Sequence, residues 1–152
     1  MATLLDELSE LISALNENQI EYAVCGGLAL TIHGFPRATF DIDILIKDEW
    51  LEKAYEIAAK FGYDIRGLDI SFKERAVEIR RVSKIDDEGE VLPLDFLLVT
   101  PHLEDVWRTR QKLIWENQDL WIVSTEGLIK MKELAGRAKD LIDIDRIKNE
   151  ES

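Results

Sequence analysis

The sequence is poor in the groups that staple a chain or hold it in a membrane. Cys25 is the single cysteine in 152 residues, which excludes a disulfide framework and a cysteine-based zinc site. No run of 18 apolar residues occurs, so no membrane-spanning helix is expected. Basic charge is scarce: 19 Lys and Arg stand against 31 Asp and Glu, a formal net charge of −12. That balance argues against general binding to a nucleic-acid backbone, which needs a basic face, but leaves room for a local basic pocket. The opening residues carry Asp6 and Glu7 where a secretory signal would be basic, so a reducing cytoplasm is the expected location. Internal repeats and low-complexity linkers are lacking.

What is present is globular. Apolar residues make up 46% and charged residues 33%, the latter above the usual ~25%. The length suits one domain over 1–152, with a sheet core over about 20–123 and a C-terminal helix over about 124–149. Leu4, Leu8, Leu11, Ile12 and Leu15 recur at helical spacing over 4–16, and Leu51, Ala54, Ile57, Ala58 and Phe61 do so over 49–61. Tyr22-Ala23-Val24-Cys25 reads as a short strand running into Gly26-Gly27, and Leu28 to His33 as a short helix. Asp41 to Ile46 is a strand, polar at one end and apolar at the other. Residues 76–85 and 91–99 form a hairpin around Asp86-Asp87-Glu88-Gly89. A short helix is expected over 101–110. A second hairpin is expected over 112–115 and 120–123, with Trp115 and Trp121 facing each other. Ser124 or Thr125 can cap a long final helix. This order implies a layered α/β or α+β fold.

Asp-x-Asp occurs twice, at Asp41/Asp43 and at Asp143/Asp145. On a strand, residues two apart share a face, so Asp41 and Asp43 project together. On a helix they diverge by about 200°. Only the first pair can hold one ion jointly. Two like charges at the mouth of an apolar strand repel and resist burial, and a hard divalent cation would relieve both effects. Mg²⁺ takes carboxylate oxygens and keeps positions for substrate phosphates. Asp95 is a lone acid in Leu92-Pro93-Leu94-Asp95-Phe96-Leu97-Leu98-Val99. If its strand lies beside the first, three carboxylates converge. The alternative is that Asp41 caps a strand end and Asp95 sits at an exposed edge.

Gly26-Gly27 lets a backbone approach a ligand closely, and the helix after it offers N–H groups to a phosphate. Taken together, Gly26-Gly27-Leu28-Ala29-Leu30 and His33-Gly34-x-Pro36-Arg37-x-Thr39-x-Asp41-Ile42-Asp43 resemble the nucleotidyltransferase fold of the DNA polymerase β superfamily. The likeness points to the small bacterial branch that includes AbiEii-type toxins and minimal nucleotidyltransferases. It implies an α+β fold, a small mixed and mostly antiparallel sheet with helices packed on it. It implies a glycine turn that holds a nucleoside triphosphate, and two Mg²⁺ ions on Asp41, Asp43 and Asp95, the catalytic residues. Many members carry Gly-Ser at the turn; Gly27 here removes that hydroxyl contact.

The last segment carries Leu128, Met131, Leu134/Ala135, Ala138 and Leu141/Ile142 on one apolar stripe. Six of the 19 basic residues lie in 124–152. As local pairs, Lys139 with Asp143 and Arg137 with Asp140 read as a solvated face. The resemblance reads them otherwise: Lys132 and Arg137-x-Lys139-Asp140-x-x-Asp143 match a polar active-site helix. Nucleotide contacts then fall to Gly26, Gly27, Arg37, Thr39, Lys132, Arg137 and Asp140. Arg37 suits either a triphosphate or plain solvent. His33 ends a helix, His102 has no evident partner, and the four tryptophans read as packing.

The activity implied is transfer of a nucleoside monophosphate to an acceptor hydroxyl on a protein, a tRNA or a small molecule. A toxin–antitoxin role, a cognate partner protein and a homo-oligomer are all compatible with so short a chain. The competing readings are an antibiotic nucleotidyltransferase and a non-catalytic NTP-binding or partner-binding module.

Overall fold

The computed structural model describes residues 3–151, with the side chains of Ala138, Lys139, Glu150 and Glu151 outside the described set. The chain begins with helix α1, Leu4–Glu17. A reciprocal capping box starts it: the Thr3 hydroxyl accepts from the Asp6 amide at 3.1 Å, and the Thr3 amide donates to Asp6 at 2.9 Å. Strand β1, Ala23–Cys25, runs straight into α2, Gly26–Ile32. Strand β2 is Ile42–Ile46, and α3, Leu51–Lys60, follows a single 3₁₀ turn. Then come β3 (Ile65–Arg66), β4 (Ile70–Phe72), β5 (Val77–Ile85) and β6 (Val91–Leu98). A 3₁₀ turn leads into α4, Glu104–Arg108. The hairpin β7 (Gln111–Trp115) and β8 (Gln118–Ile122) precedes α5 (Thr125–Ala135) and α6 (Ala138–Glu151).

The eight strands form one sheet in the order β3-β5-β6-β2-β1-β8-β7, with β4 on β5 as well. Pairings β2–β6 and β1–β8 are parallel and the other five are antiparallel. This is the mixed, mostly antiparallel α+β architecture expected. The central strands are apolar on both faces, and Val24, Ile42, Ile44, Leu45, Ile46 and Leu94 are fully buried. α1 and α3 pack against each other, and α2, α4 and α6 gather around α5. Glu7 is buried where α1 meets the sheet; it accepts from the Tyr63 hydroxyl at 2.9 Å and pairs with Lys84 of β5.

Four features depart from the sequence reading. The final helix is two helices, because Gly136 takes a left-handed conformation (φ 66°, ψ 20°) and closes α5. The break resets the helical phase, so Leu141 and Ile142 are exposed while Ile144 and Ile147 are buried. The β7–β8 turn is the two-residue Glu116-Asn117, both at positive φ, as in a type I′ turn. That register sets Trp121 opposite Lys112 and Trp115 opposite Gln118, so the two tryptophans do not face each other. Strands β3 and β4 gave no clear sequence signal: they are two and three residues long and mostly exposed. Arg110 instead brings two tryptophans together, its guanidinium 3.9 Å from the Trp107 ring centre and 4.8 Å from that of Trp121.

At Gly136 an added Cβ would meet only ordinary contacts, the nearest being Lys73 Nζ at 3.6 Å. The penalty of a side chain there is therefore conformational. Gly136→Ala should lower stability by about 1–2 kcal/mol in urea unfolding, with an unchanged m-value.

Candidate active site

The site begins where β1 ends. Gly26 has φ +68°, a conformation L side chains rarely adopt, and a Cβ there would run into the Asp43 carboxylate. Gly27 is buried, and a Cβ there would lie 2.8 Å from the Thr39 hydroxyl. Both glycines therefore have a local reason to be glycine. Gly26 makes room for an acid, and Gly27 makes room for the segment that leads to it.

Four residues stand side by side across the sheet. Cys25 pairs with Asp43, Asp43 with Asp95, and Asp95 with Arg81, one each from β1, β2, β6 and β5. Paired residues share a face. Asp41 sits at the bend before β2, and Asp41, Asp43 and Asp95 each offer an oxygen within 4.8 Å of the others. Asp95 is buried, at 4% exposure. The convergence expected from the Asp-x-Asp strand and the lone acid is present. A donor set of three carboxylates at this spacing fits a hard divalent cation.

Arg81 is the residue the sequence reading missed. Its Nε donates to Asp95 Oδ1 at 2.7 Å and its Nη2 to Oδ2 at 2.9 Å, a bidentate clamp. Nη2 also lies 4.0 Å from Asp41. The hydrogen bonds to Asp95, opposed by burial and helped by the charges of Asp95, Asp41 and Asp43, raise the Arg81 pKa. Counting back along the hairpin from Asp86–Gly89 would have set Arg81 opposite Asp95. Cys25 lies beside these acids; burial first, then the Asp43 and Asp95 charges, push its thiol well above the usual range, so it stays protonated and inert.

A second polar cluster closes the cleft from the helices. Lys132 of α5 is buried and donates to Asp143 at 2.9 Å and to Asp140 at 3.5 Å. Arg137 clamps Asp140 through Nε at 2.7 Å and Nη2 at 3.3 Å, as its i,i+3 spacing anticipates. Asp143 pairs with Arg37 as well, across 106 residues of chain. The expected Lys139–Asp143 pair lies outside the described residues. Arg37, Lys132 and Arg137 are therefore each held by a carboxylate, Lys132 by two. His33 closes α2 and donates from Nε2 to the Val123 carbonyl at 2.8 Å, and His102 is exposed.

All ten residues singled out for catalysis or nucleotide contact line one cleft of about 410 Å³: Gly26, Gly27, Arg37, Thr39, Asp41, Asp43, Asp95, Lys132, Arg137 and Asp140. The chain belongs to the family described as nucleotidyltransferase of unknown function (DUF6036), whose model matches residues 2–149. No curated protein matches it. Solved structures are alike in fold at low identity. A Thermotoga maritima protein assigned as a nucleotidyltransferase is 16% identical, with a TM-score of 0.67 over 96% of this chain and 92% of that one. The antibiotic-resistance factor ANT(2'')-Ia, in complex with adenylyl-2''-tobramycin, is 14% identical, with a TM-score of 0.64 over 96% and 87%. The lincomycin-bound lincosamide antibiotic adenylyltransferase LnuA is 14% identical, with a TM-score of 0.60 over 97% of both chains. No helix among the described residues is long and apolar enough to cross a membrane.

Two outcomes are expected. Arg81→Met leaves Asp95 buried without its clamp, so stability in EDTA should fall by about 1–2 kcal/mol; the figure is discounted because the arginine side chain is 39% exposed. Millimolar Mg²⁺ should restore most of that loss, which urea unfolding with and without EDTA would show. Burial raises the Asp140 pKa, but Arg137 and Lys132 outweigh burial and the net shift is downward. A depressed carboxylate stabilises the fold above its unfolded pKa and loses that effect as pH falls through its folded value. Asp140→Asn should thus cost about 2–3 kcal/mol at pH 7, and the gap to wild type should narrow as pH drops below about 3.9.

Proposed function

We propose that this protein is a Mg²⁺-dependent nucleotidyltransferase that moves a nucleoside monophosphate from an NTP to an acceptor hydroxyl. The observation that carries the reading is the row Asp43–Asp95, with Asp41 beside it and the glycine turn against Asp43, all lining one cleft. The acceptor oxygen forms a bond to the α-phosphorus, the bond to the bridging oxygen breaks, and pyrophosphate leaves with the electron pair. Two Mg²⁺ ions held by Asp41, Asp43 and Asp95 would stabilise the attacking and leaving oxygens. Gly26 and Gly27 keep side chains away from the phosphates. Arg37, Lys132 and Arg137 bring positive charge to the cleft wall, and Asp140 and Asp143 hold those cations in place. Asp95 would take the acceptor's proton; Arg81 occupies one lone pair on each of its oxygens and leaves the others to accept it. The protein's contribution is position and charge.

The finer placement among AbiEii-like proteins, with a role in a toxin–antitoxin pair, rests on Gly26-Gly27, on Lys132 and on the Arg137-x-Lys139-Asp140-x-x-Asp143 stretch, whereas a cytoplasmic location rests on Asp6 and Glu7 near the start and on the single cysteine. A small-molecule acceptor draws support from the fold shared with antibiotic adenylyltransferases. Protein and tRNA acceptors follow from the resemblance alone.

Asp43→Asn tests the core of the reading. Without metal it should melt at or above the wild-type temperature, because a paired like charge is gone. With Mg²⁺ and saturating NTP the wild type should gain about 2.7 kcal/mol at 100 times the dissociation constant, and the variant nothing. Label from an α-phosphate-labelled NTP should be transferred by wild type only. Equal thermal shifts in the two proteins would remove the metal site.

A further inference from the structure

The cleft has two halves of different chemistry, and the polar half absorbs every residue used so far. One step along the strands from the row Cys25–Asp43–Asp95–Arg81, on the same face, comes the row Leu45–Leu97–Ile79–Ile70. Beyond it Val77 pairs with Phe72. Leu97, Ile79, Ile70, Val77 and Phe72 all line the cleft, and Met131 and Leu134 of α5 line it too. Ile70 is 40% exposed, so this apolar floor opens to solvent. It adjoins Asp95 and Arg81, at the opposite end of the polar row from the glycine turn.

That placement assigns the floor a side of the reaction. Displacement in line sets the attacking hydroxyl opposite the leaving pyrophosphate. With phosphates at Gly26–Gly27, the hydroxyl arrives from the Asp95 side, where the floor lies. Charge narrows the choice of acceptor. The acids lining the cleft are Asp41, Asp43, Asp95 and Asp140, and the last two are clamped by Arg81 and Arg137. The apolar half presents no carboxylate to an ammonium group, while Arg81 stands at its edge. We propose, resting on the nucleotidyltransferase reading, that the acceptor is a small uncharged molecule with its hydroxyl on an apolar or aromatic body, and that Ile79 and Leu97 determine this specificity. An apolar ring laid on such a floor removes its surface from water, whereas a polycationic acceptor would meet arginine and hydrocarbon.

The test uses the full chain with 2-naphthol, a neutral fluorescent phenol, as probe. An α,β-methylene ATP analogue with Mg²⁺ serves as the nucleotide, its binding followed separately by thermal shift. Wild type should bind 2-naphthol. Saturating Mg²⁺–nucleotide should leave that binding intact, and tobramycin should not compete. Ile79→Glu should weaken 2-naphthol at least tenfold while keeping the nucleotide shift. Leu134→Glu, reaching the same chamber from α5, gives the same readout if Ile79→Glu fails to fold. Displacement of 2-naphthol by the nucleotide would make the chamber a base pocket and overturn the proposal, as would tobramycin competition or equal 2-naphthol affinity in wild type and a folded variant. Absence of any nucleotide shift in wild type would instead defeat the parent reading, while the 2-naphthol comparison still reports on the chamber.

Discussion

Asp43 and Asp95 stand opposite each other on parallel strands with Asp41 beside them, and three like charges within 4.8 Å repel. Apolar strands cannot hold such a group unless a cation answers it. Arg81 is that cation in the bare protein. It comes from β5, which flanks β6 on the side away from β2 and sets Arg81 in register with Asp95. A divalent ion would do the same work more compactly. The β5–β6 hairpin therefore supports the chemistry through a counter-charge as well as through packing.

The same rule recurs on the helical side. Asp140 is 1% exposed, which would be prohibitive for a lone carboxylate, and Arg137 and Lys132 neutralise it. Asp143 in turn joins Lys132 to Arg37. Four acids and four basic residues line the cleft, although the protein as a whole carries −12. Local balance is what lets an anionic substrate class be considered for so acidic a chain. The net charge was a poor guide to this cleft because four of the 19 basic residues line it and match its four acids one for one.

Some of this was written plainly in the sequence. Asp41 and Asp43 share a face because strand residues alternate, and that argument needs no tertiary knowledge. Gly26 before a helix, and an acid isolated in an apolar strand at Asp95, were equally legible. Gly136 was not, since the apolar stripe continues at helical spacing on both sides of it, and an isolated glycine inside such a pattern is usually tolerated. The register of the second hairpin was hidden because Glu116 adopts positive φ without being glycine or asparagine. Strands β3 and β4 bury too little surface to impose an alternation. Arg81 carried no local mark at all; only its partner on the next strand gives it meaning.

Arg37 and Asp143 lie 106 residues apart, and with Lys132 they join the segment before β2 to the last helix. During synthesis the carboxylate row can form once β6 has left the ribosome. The wall that faces it cannot form until α6 follows. A nascent chain halted before α6 would thus hold Arg37, Lys132 and Arg137 without Asp140 and Asp143, the carboxylates that fix them in place. Order of emergence, set by this one long-range contact, keeps the cleft incomplete until α6 has emerged.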